Sequence, residues 1–327
     1  MEILYLSQAD VKAVGISMAE IISRVEEVFV EKGNGRIEMP PKPGIHPQGD
    51  AFIHAMPAYV PRMNAAGCKW VSGFPENYKY NLPQISGLLI MNDPQTGLPL
   101  TVMDCIWITA MRTGAATAVA AKYLAQSNSA VVAIIGCGVQ GRTNLEALTI
   151  VFPAIEEVRA YDINPKNITR YVKEAELKYE RRKPRLKIIP VNSPREAVVE
   201  ADIIVTASAI QKHPQPVIEA SWVKEGAFAS PVDFDSYWKP EALQIMDKLC
   251  TDDIPQIEYY KTQGYFAHLP PIYADLGEIV TGRKSGRENP FEKTMSMNLG
   301  VAIEDMAFGS KIYQLAVEKG IGRKLPL

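Results

Sequence analysis

The sequence predicts an α/β protein in which a doubly wound parallel sheet is inserted into a mixed α+β domain. Three observations predict it. From about residue 130 to 251, short β-branched runs alternate with helical stretches, the rhythm of strand–helix–strand units with parallel strands. Residues 34–105 have a different texture, with short apolar runs broken by Pro and Gly, as in neighbouring strands of a mixed sheet. The chain then closes on a long stretch with helical apolar spacing, which is expected to pack back on the first domain.

Each element follows from its local pattern. Residues 9–33, ADVKAVGISMAEIISRVEEVFVEKG, carry apolar residues at helical spacing, with Ser17 a cap before MAEIISRVEEVF. AFIHAMPAYV, AAGCKWVSGF, ISGLLIMND and PLTVMDC read as strands, and NDPQTGLP as the hairpin turn between the last two. The Ala-rich residues 106–126 predict a long connecting helix. AVVAIIG is a continuous β-branched run, as in a parallel strand buried on both faces. After it come a helix over about 139–151, the strand EEVRAYD, a helix over about 165–180, the strand LKIIPV, the short helix SPREAVVEA and the strand DIIVTAS. GAFASPV and KLCTDD extend the alternation. The final EKTMSMNLGVAIEDMAFGSKIYQLAVEKGIG reads as a single amphipathic helix. The expected domains are 1–125 with 300–327, and 126–299.

Composition narrows the function. The 327 residues are 47% hydrophobic and 22% charged, with a formal net charge of −2. These are ordinary values for a globular protein and give no electrostatic reason to bind nucleic acid or a membrane surface. MEILYLSQADV has neither the basic lead nor the apolar core of a signal peptide. Cys68, Cys105, Cys137 and Cys250 lack CxxC spacing, so a reducing cytoplasm is the expected compartment. The four histidines form no HxxxH or HxH pair, and a metal site has little support.

In IIGCGVQG, Gly136, Gly138 and Gly141 match GxGxxG directly after a predicted strand and before a predicted helix. The glycines permit a tight turn, close backbone approach to a pyrophosphate and close helix–strand packing. Val139 and Gln140 complete the loop, and the helix N-terminus offers unpaired N–H groups to phosphates. Together with the strand order this is a Rossmann fingerprint. Asp162 ends the next strand, where a carboxylate accepts hydrogen bonds from ribose hydroxyls and repels a 2′-phosphate, favouring NAD over NADP.

A cofactor fold does not identify a reaction. Lys69, between Cys68 and Trp70 in an apolar strand, suits acid/base work if burial lowers its pKa. Arg112, beside Thr113 and Gly114, suits a bidentate carboxylate clamp. On the residues alone, a solvent-facing edge-strand lysine and a surface ion pair remain open for these two.

MPAY, CKWVSGFPEN, VMDCIWITAMRTGAATAVAAKYL, IIGCGVQG, ADIIVTAS and LGVAIEDMA, in that order, resemble the ornithine cyclodeaminase/mu-crystallin family over nearly the full chain. The resemblance implies a substrate-binding and dimerisation domain made from both chain ends, with the dinucleotide domain between them, and a homodimer. It implies Lys69 as the active-site lysine, Arg112 as the arginine on the substrate carboxylate, Thr113 near the cofactor phosphates, and Thr206 and Ala207 of ADIIVTAS as cofactor contacts. It also implies Asp235 of SPVDFDSYW as the catalytic aspartate, with Asp233 close enough to compete for that role. Two departures bear on the substrate. Lys42 stands where the family has an arginine, keeping the charge but losing the fork, and His54 stands where ornithine-specific members carry an acid. The implied activity is NAD-dependent oxidation or reduction at the Cα–N bond of an amino or imino acid. A cyclodeaminase that recycles NAD and a mu-crystallin-like binding protein are the alternatives.

Overall fold

The structure, a computed structural model, describes residues 1–182 and 185–327. The chain divides into two compact units, Met1–Arg112 with Gly300–Leu327, and Thr113–Leu299.

The first unit opens with β1 (Glu2–Leu6), a strand absent from the sequence reading, followed by α1 (Gln8–Ala13) and α2 (Met18–Gly33). These two helices replace the single helix expected over 9–33. Ser7 and Ser17 each close a capping box, with Asp10 and Glu20 respectively, and Gly15 turns the chain between them at φ +78°. Then come β2 (Gly44–Ile45), β3 (Phe52–Val60), β4 (Ala65–Gly73), β5 (Ile85–Asn92) and β6 (Pro99–Asp104). The expected hairpin turn joins β5 to β6, closed by the Gly97 N–H donating to the Asp93 carbonyl at 2.8 Å. α3 (Ile106–Leu124) follows, capped by the Asp104 carboxylate, which accepts from the Ile106 N–H at 3.1 Å.

The second unit alternates strand and helix. Its elements are β7 (Val131–Ile135), α4 (Val139–Val151), β8 (Glu157–Tyr161), α5 (Pro165–Lys178), β9 (Lys187–Pro190), α6 (Pro194–Val198) and β10 (Ile203–Thr206). β11 (Phe228–Pro231), α7 (Pro240–Gln244), β12 (Lys248–Thr251), α8 (Ile254–Thr262), β13 (Ala274–Asp275), α9 (Leu276–Val280) and β14 (Thr294–Met297) complete it. The strands form one sheet in the order β13-β12-β14-β11-β10-β7-β8-β9, and every pairing is parallel. The strand order reverses between β7 and β10, the switch point at which doubly wound sheets open a crevice beyond the strand ends.

The chain returns to the first unit as α10 (Ala302–Lys319) and β15 (Arg323–Pro326). This corrects the reading of residues 292–322 as one helix. Thr294–Met297 are fully buried between β11 and β12, and their alternation of polar and apolar residues has the period of a strand, not of a helix. Gly300, at φ +75°, separates that strand from α10, and Gly320, at φ +63°, ends the helix in the left-handed region. The first unit's sheet runs β15-β1-β6-β5-β4-β3-β2, antiparallel except for β1 with β6.

α10 lies against β3, β4, β5 and α2. It buries Ile303, Met306, Phe308 and Ile312 completely. At Gly309 a Cβ would stand 2.4 Å from Leu89 Cδ2, so a larger residue would force the Leu89 side chain to move. Phe308 packs on Trp107 with ring centroids 5.3 Å apart. Trp70 and Leu88, directly paired across β4 and β5, are exposed on the sheet. No helix among the described residues is long and apolar enough to cross a membrane. Phe308→Ala is expected to lower the unfolding free energy by about 3–5 kcal/mol, measured by denaturant titration; a loss below about 1 kcal/mol would mean that α10 is not a core element.

Candidate active site

β4 is an interior strand, flanked by β3 and β5, and alternation turns Lys69 to the face covered by α10. Its side chain is fully buried, so neither an edge position nor a solvent-facing one describes it. The Lys69 ammonium lies 2.7 Å from Asp305 Oδ2 and 3.5 Å from Thr109 Oγ1. Burial pushes its pKa below the ordinary lysine value, and the Arg112 charge adds to this while Asp305 opposes it.

Asp305 and Glu304 come from the first turn of α10, where the helix dipole favours carboxylates. Arg112, on α3, reaches both: Nη1 is 3.0 Å from Glu304 Oε2 and Nε is 3.5 Å from Asp305 Oδ1. This ion pair is buried, not a surface one. Gly300 brings its backbone against the guanidinium, because a Cβ there would lie 2.4 Å from Arg112 Nη1. Lys42 joins the cluster by donating to the Gly300 carbonyl at 3.0 Å.

His54 projects from β3 and stacks on Phe52, with ring centroids 4.2 Å apart. Burial, with the charges of Lys42, His46 and Lys69 adding to it, holds its pKa down at about 3, so the ring is neutral at physiological pH. Lys42, His54, Lys69 and Arg112, singled out from the sequence, are therefore neighbours in the first unit. Glu304, Asp305 and Thr109 were not singled out. A signal was available for the two acids, which stand side by side inside the otherwise apolar LGVAIEDMAF. Lys42, Lys69, Arg112, Glu304 and Asp305 are all buried.

In the second unit the three glycines have separable reasons. Gly136 sits at φ +100°, and a Cβ on it would meet the Ala207 carbonyl oxygen at 2.4 Å; on Gly141 it would meet the Gly136 carbonyl oxygen at 2.2 Å. Gly138 has φ −79° and open space where its Cβ would be. Neither backbone nor packing requires glycine there, so the space above the loop suits a ligand that approaches the backbone closely. α4 starts immediately after it without a side-chain cap, and Val139 is exposed beside it. Gln140 turns back along α4, its Oε1 accepting from Thr143 and Asn144 at 3.3 Å.

Asp162 shapes this loop directly. Its Oδ2 accepts from the Cys137 N–H at 2.9 Å, and its Oδ1 accepts from the Asn164 N–H at 2.8 Å and Asn167 Nδ2 at 3.2 Å. Thr206, at the end of β10, donates to Asp233 Oδ1 at 2.5 Å and accepts from Trp238 Nε1 at 3.2 Å. Asp233 Oδ2 also accepts from the N–H and hydroxyl of Ser208, at 2.9 and 2.7 Å. Asp233 is thus a fully buried tie between the turns after β10 and β11. Asp235 is half-buried; burial raises its pKa, and a hydrogen bond from its own backbone N–H partly offsets the rise. Thr113 is half-buried on α3, one residue past Arg112.

The sequence profile of the ornithine cyclodeaminase/mu-crystallin family matches residues 1–320. The chain belongs to that family. It is similar to an alanine dehydrogenase of Archaeoglobus fulgidus, at 37% identity over 99% of this chain and 98% of the relative. Among solved structures it is similar to a Δ1-pyrroline-2-carboxylate reductase of Thermococcus litoralis in complex with NADH and L-proline, with 37% identity, a TM-score of 0.87 and coverage of 98% and 99%. An archaeal alanine dehydrogenase dimer with bound NAD matches with 35% identity and a TM-score of 0.87 over the full length of both chains. The family resemblance read from the motif order is therefore correct.

A neutral, buried His54 has a consequence for stability. Its folded pKa of about 3 lies below the ordinary 6.5, so its contribution is fully present above pH 6.5 and is lost as pH falls toward 3. The slope is expected to reach about 1.4 kcal/mol per pH unit, and His54→Gln to remove it. Equal slopes for the two proteins in denaturant titrations from pH 7 down to pH 4 would contradict a neutral His54.

Proposed function

We propose that this chain is an NAD-dependent oxidoreductase acting on the Cα–N bond of an amino or imino acid with one carboxylate and no second ammonium. The observation that carries the reading is the buried cluster of Lys42, Lys69 and Arg112 against Glu304 and Asp305. Three cationic side chains gathered with two acids suit the binding of one substrate carboxylate. Arg112 and Lys42 hold that carboxylate and fix the direction of Cα, an orientation effect worth several kcal/mol. Lys69, its pKa depressed by burial, takes or gives the proton at the substrate nitrogen. Asp235 is the acid/base that activates water, while Asp233 holds the turn.

The second unit suits NAD. Gly136, Gly138, Val139 and Gly141, with the start of α4, would take the pyrophosphate, and Asp162 would take a ribose hydroxyl in addition to its loop contacts. Thr113, Gln140, Thr206 and Ala207 complete the expected contacts. When bound, NAD supplies the hydride acceptor, or as NADH the donor. The relatives named as alanine dehydrogenase and pyrroline-2-carboxylate reductase, solved with NAD or NADH, support this reading.

Charge also weighs against the cyclodeaminase alternative. A diamino acid brings a second ammonium, and the buried acids of the cluster already face Lys69 and Arg112. The neutral His54 offers no counter-ion. A homodimer is the proposed assembly, as supported by the dimeric archaeal relative, and the exposed Trp70–Leu88 pair on the first unit's sheet is its proposed seam.

The test is a turnover screen of L-alanine, L-proline and L-ornithine with NAD and NADP, and of Δ1-pyrroline-2-carboxylate with NADH, following absorbance and ammonia together. Net NADH change with the monoamine or cyclic substrates, and little with ornithine, is the expected result. Ammonia release from ornithine without net NADH would replace the reading with a cyclodeaminase.

A further inference from the structure

The turn after β11 carries two acids separated by one residue, and that residue is strained. Phe234 has φ +61°, in the left-handed region that disfavours side chains other than glycine. Its ring is buried against Phe266, Tyr260 and Tyr265, with centroids at 5.1, 5.5 and 6.0 Å. Phe266 is itself left-handed, at φ +59°, and equally buried. Strain of this kind persists only where the surroundings over-determine it. Here each strained residue is held by the ring of the other.

The two acids on either side of Phe234 meet different fates. Asp233 is anchored inward by Thr206 and Ser208. A left-handed residue immediately after it redirects the chain, and Asp235 emerges half-buried, where the charge on His268, two residues beyond Phe266, acts on it. Asp233 ties one end of the turn and the Trp238 N–H donates to the Asp235 carbonyl at 3.1 Å at the other, so the strained Phe234 is the joint between two fixed ends.

We infer that Phe234 and Phe266 form an aromatic clasp that aims the Asp235 carboxylate, which makes both phenylalanines positioning residues for the acid/base step. The inference rests on the reading of Asp235 as that acid/base for its catalytic meaning, and on the backbone and ring geometry for its structural one. Without the Phe234 ring, nothing in the clasp compensates the left-handed backbone, and the chain between the two acids relaxes. Asp235 then swings toward water while Asp233 stays on its three donors. Glycine at 234 separates the two contributions, because it accepts the left-handed backbone but supplies no ring.

The test uses full-length protein labelled with ¹³C at the aspartate carboxyls, with D235N to assign the resonance. In the wild-type protein Asp235 is expected to titrate above the ordinary aspartate range. In F234G, and in F266G, its titration moves back toward that range, while F234Y, which keeps the ring, stays with the wild type. With L-alanine and NAD, F234G is expected to lower kcat on the order of 100-fold and leave NAD affinity within a few-fold. F234G/F266G should be no worse than either single variant, as one coupled element requires. A lowered melting temperature with the Asp235 titration unchanged in both single variants would overturn the clasp, and F266G alone decides if F234G fails to fold. Wild-type turnover by D235N would instead remove Asp235 from the chemistry, and the carboxyl titration would still decide whether the clasp aims it.

Discussion

The ion pair between Lys69 and Asp305 is the constraint around which the first unit is arranged. Taking an ammonium and a carboxylate out of water costs several kcal/mol for each ion, and the attraction between them repays this only with good geometry and further polar partners. The structure supplies these only in part, because both Asp305 oxygens are buried without a well-formed hydrogen bond. Lys69 and Asp305 stand 2.7 Å apart, and Arg112 and Thr109 close in around them. Meeting that geometry requires α10 to start where it does, with its first turn over the inner face of β4. Gly300, the residue that redirects the chain into α10, also leaves room for the Arg112 guanidinium and offers its carbonyl to Lys42. A protein seeking stability alone would fill this position with leucine or methionine. The charges are in keeping with the proposed binding of a substrate carboxylate.

The second unit divides its labour in the same way, between groups that shape and groups that act. Gly136 and Gly141 are demanded by packing, whereas Gly138 is demanded by nothing in the protein. The Asp162 carboxylate braces the loop through Cys137 from just after β8, and the proposed ribose contact would add to that task. Asp233 and Asp235 differ in their surroundings. The first is consumed by Thr206 and Ser208, and the second is held half-buried by a strained aromatic turn.

How much of this was legible in the sequence depended on how local the cause was. The glycine loop, Asp162 and the alternation around them are fixed by neighbours a few residues apart, and they could be read directly. Lys69 stood out because a charge inside an apolar strand is costly. Its counter-ions did not, because pairing is a tertiary fact: Arg112 and Glu304 are 192 residues apart, and Lys42 and Gly300 are 258. The misread elements have equally physical reasons. The break at Gly15 is a single left-handed residue inside an otherwise continuous helical period. Thr294–Met297 alternate polar and apolar residues as a strand does, but the run is four residues long and leads almost directly into the longer helical period of α10. The strained Phe234 is invisible without a backbone, since phenylalanine gives no hint of a positive φ.

The central claim is that the Lys69–Asp305 pair is kept for chemistry and not for stability. The most direct measurement is the unfolding free energy and turnover of the double variant Lys69→Met/Asp305→Leu, which replaces the pair by apolar side chains of similar size. If the claim holds, the double variant is as stable as the wild type, or more stable by about 1–4 kcal/mol, and has no turnover. A double variant that loses about 3–5 kcal/mol, as when one partner of a buried pair is removed, or one that keeps its activity, would contradict it.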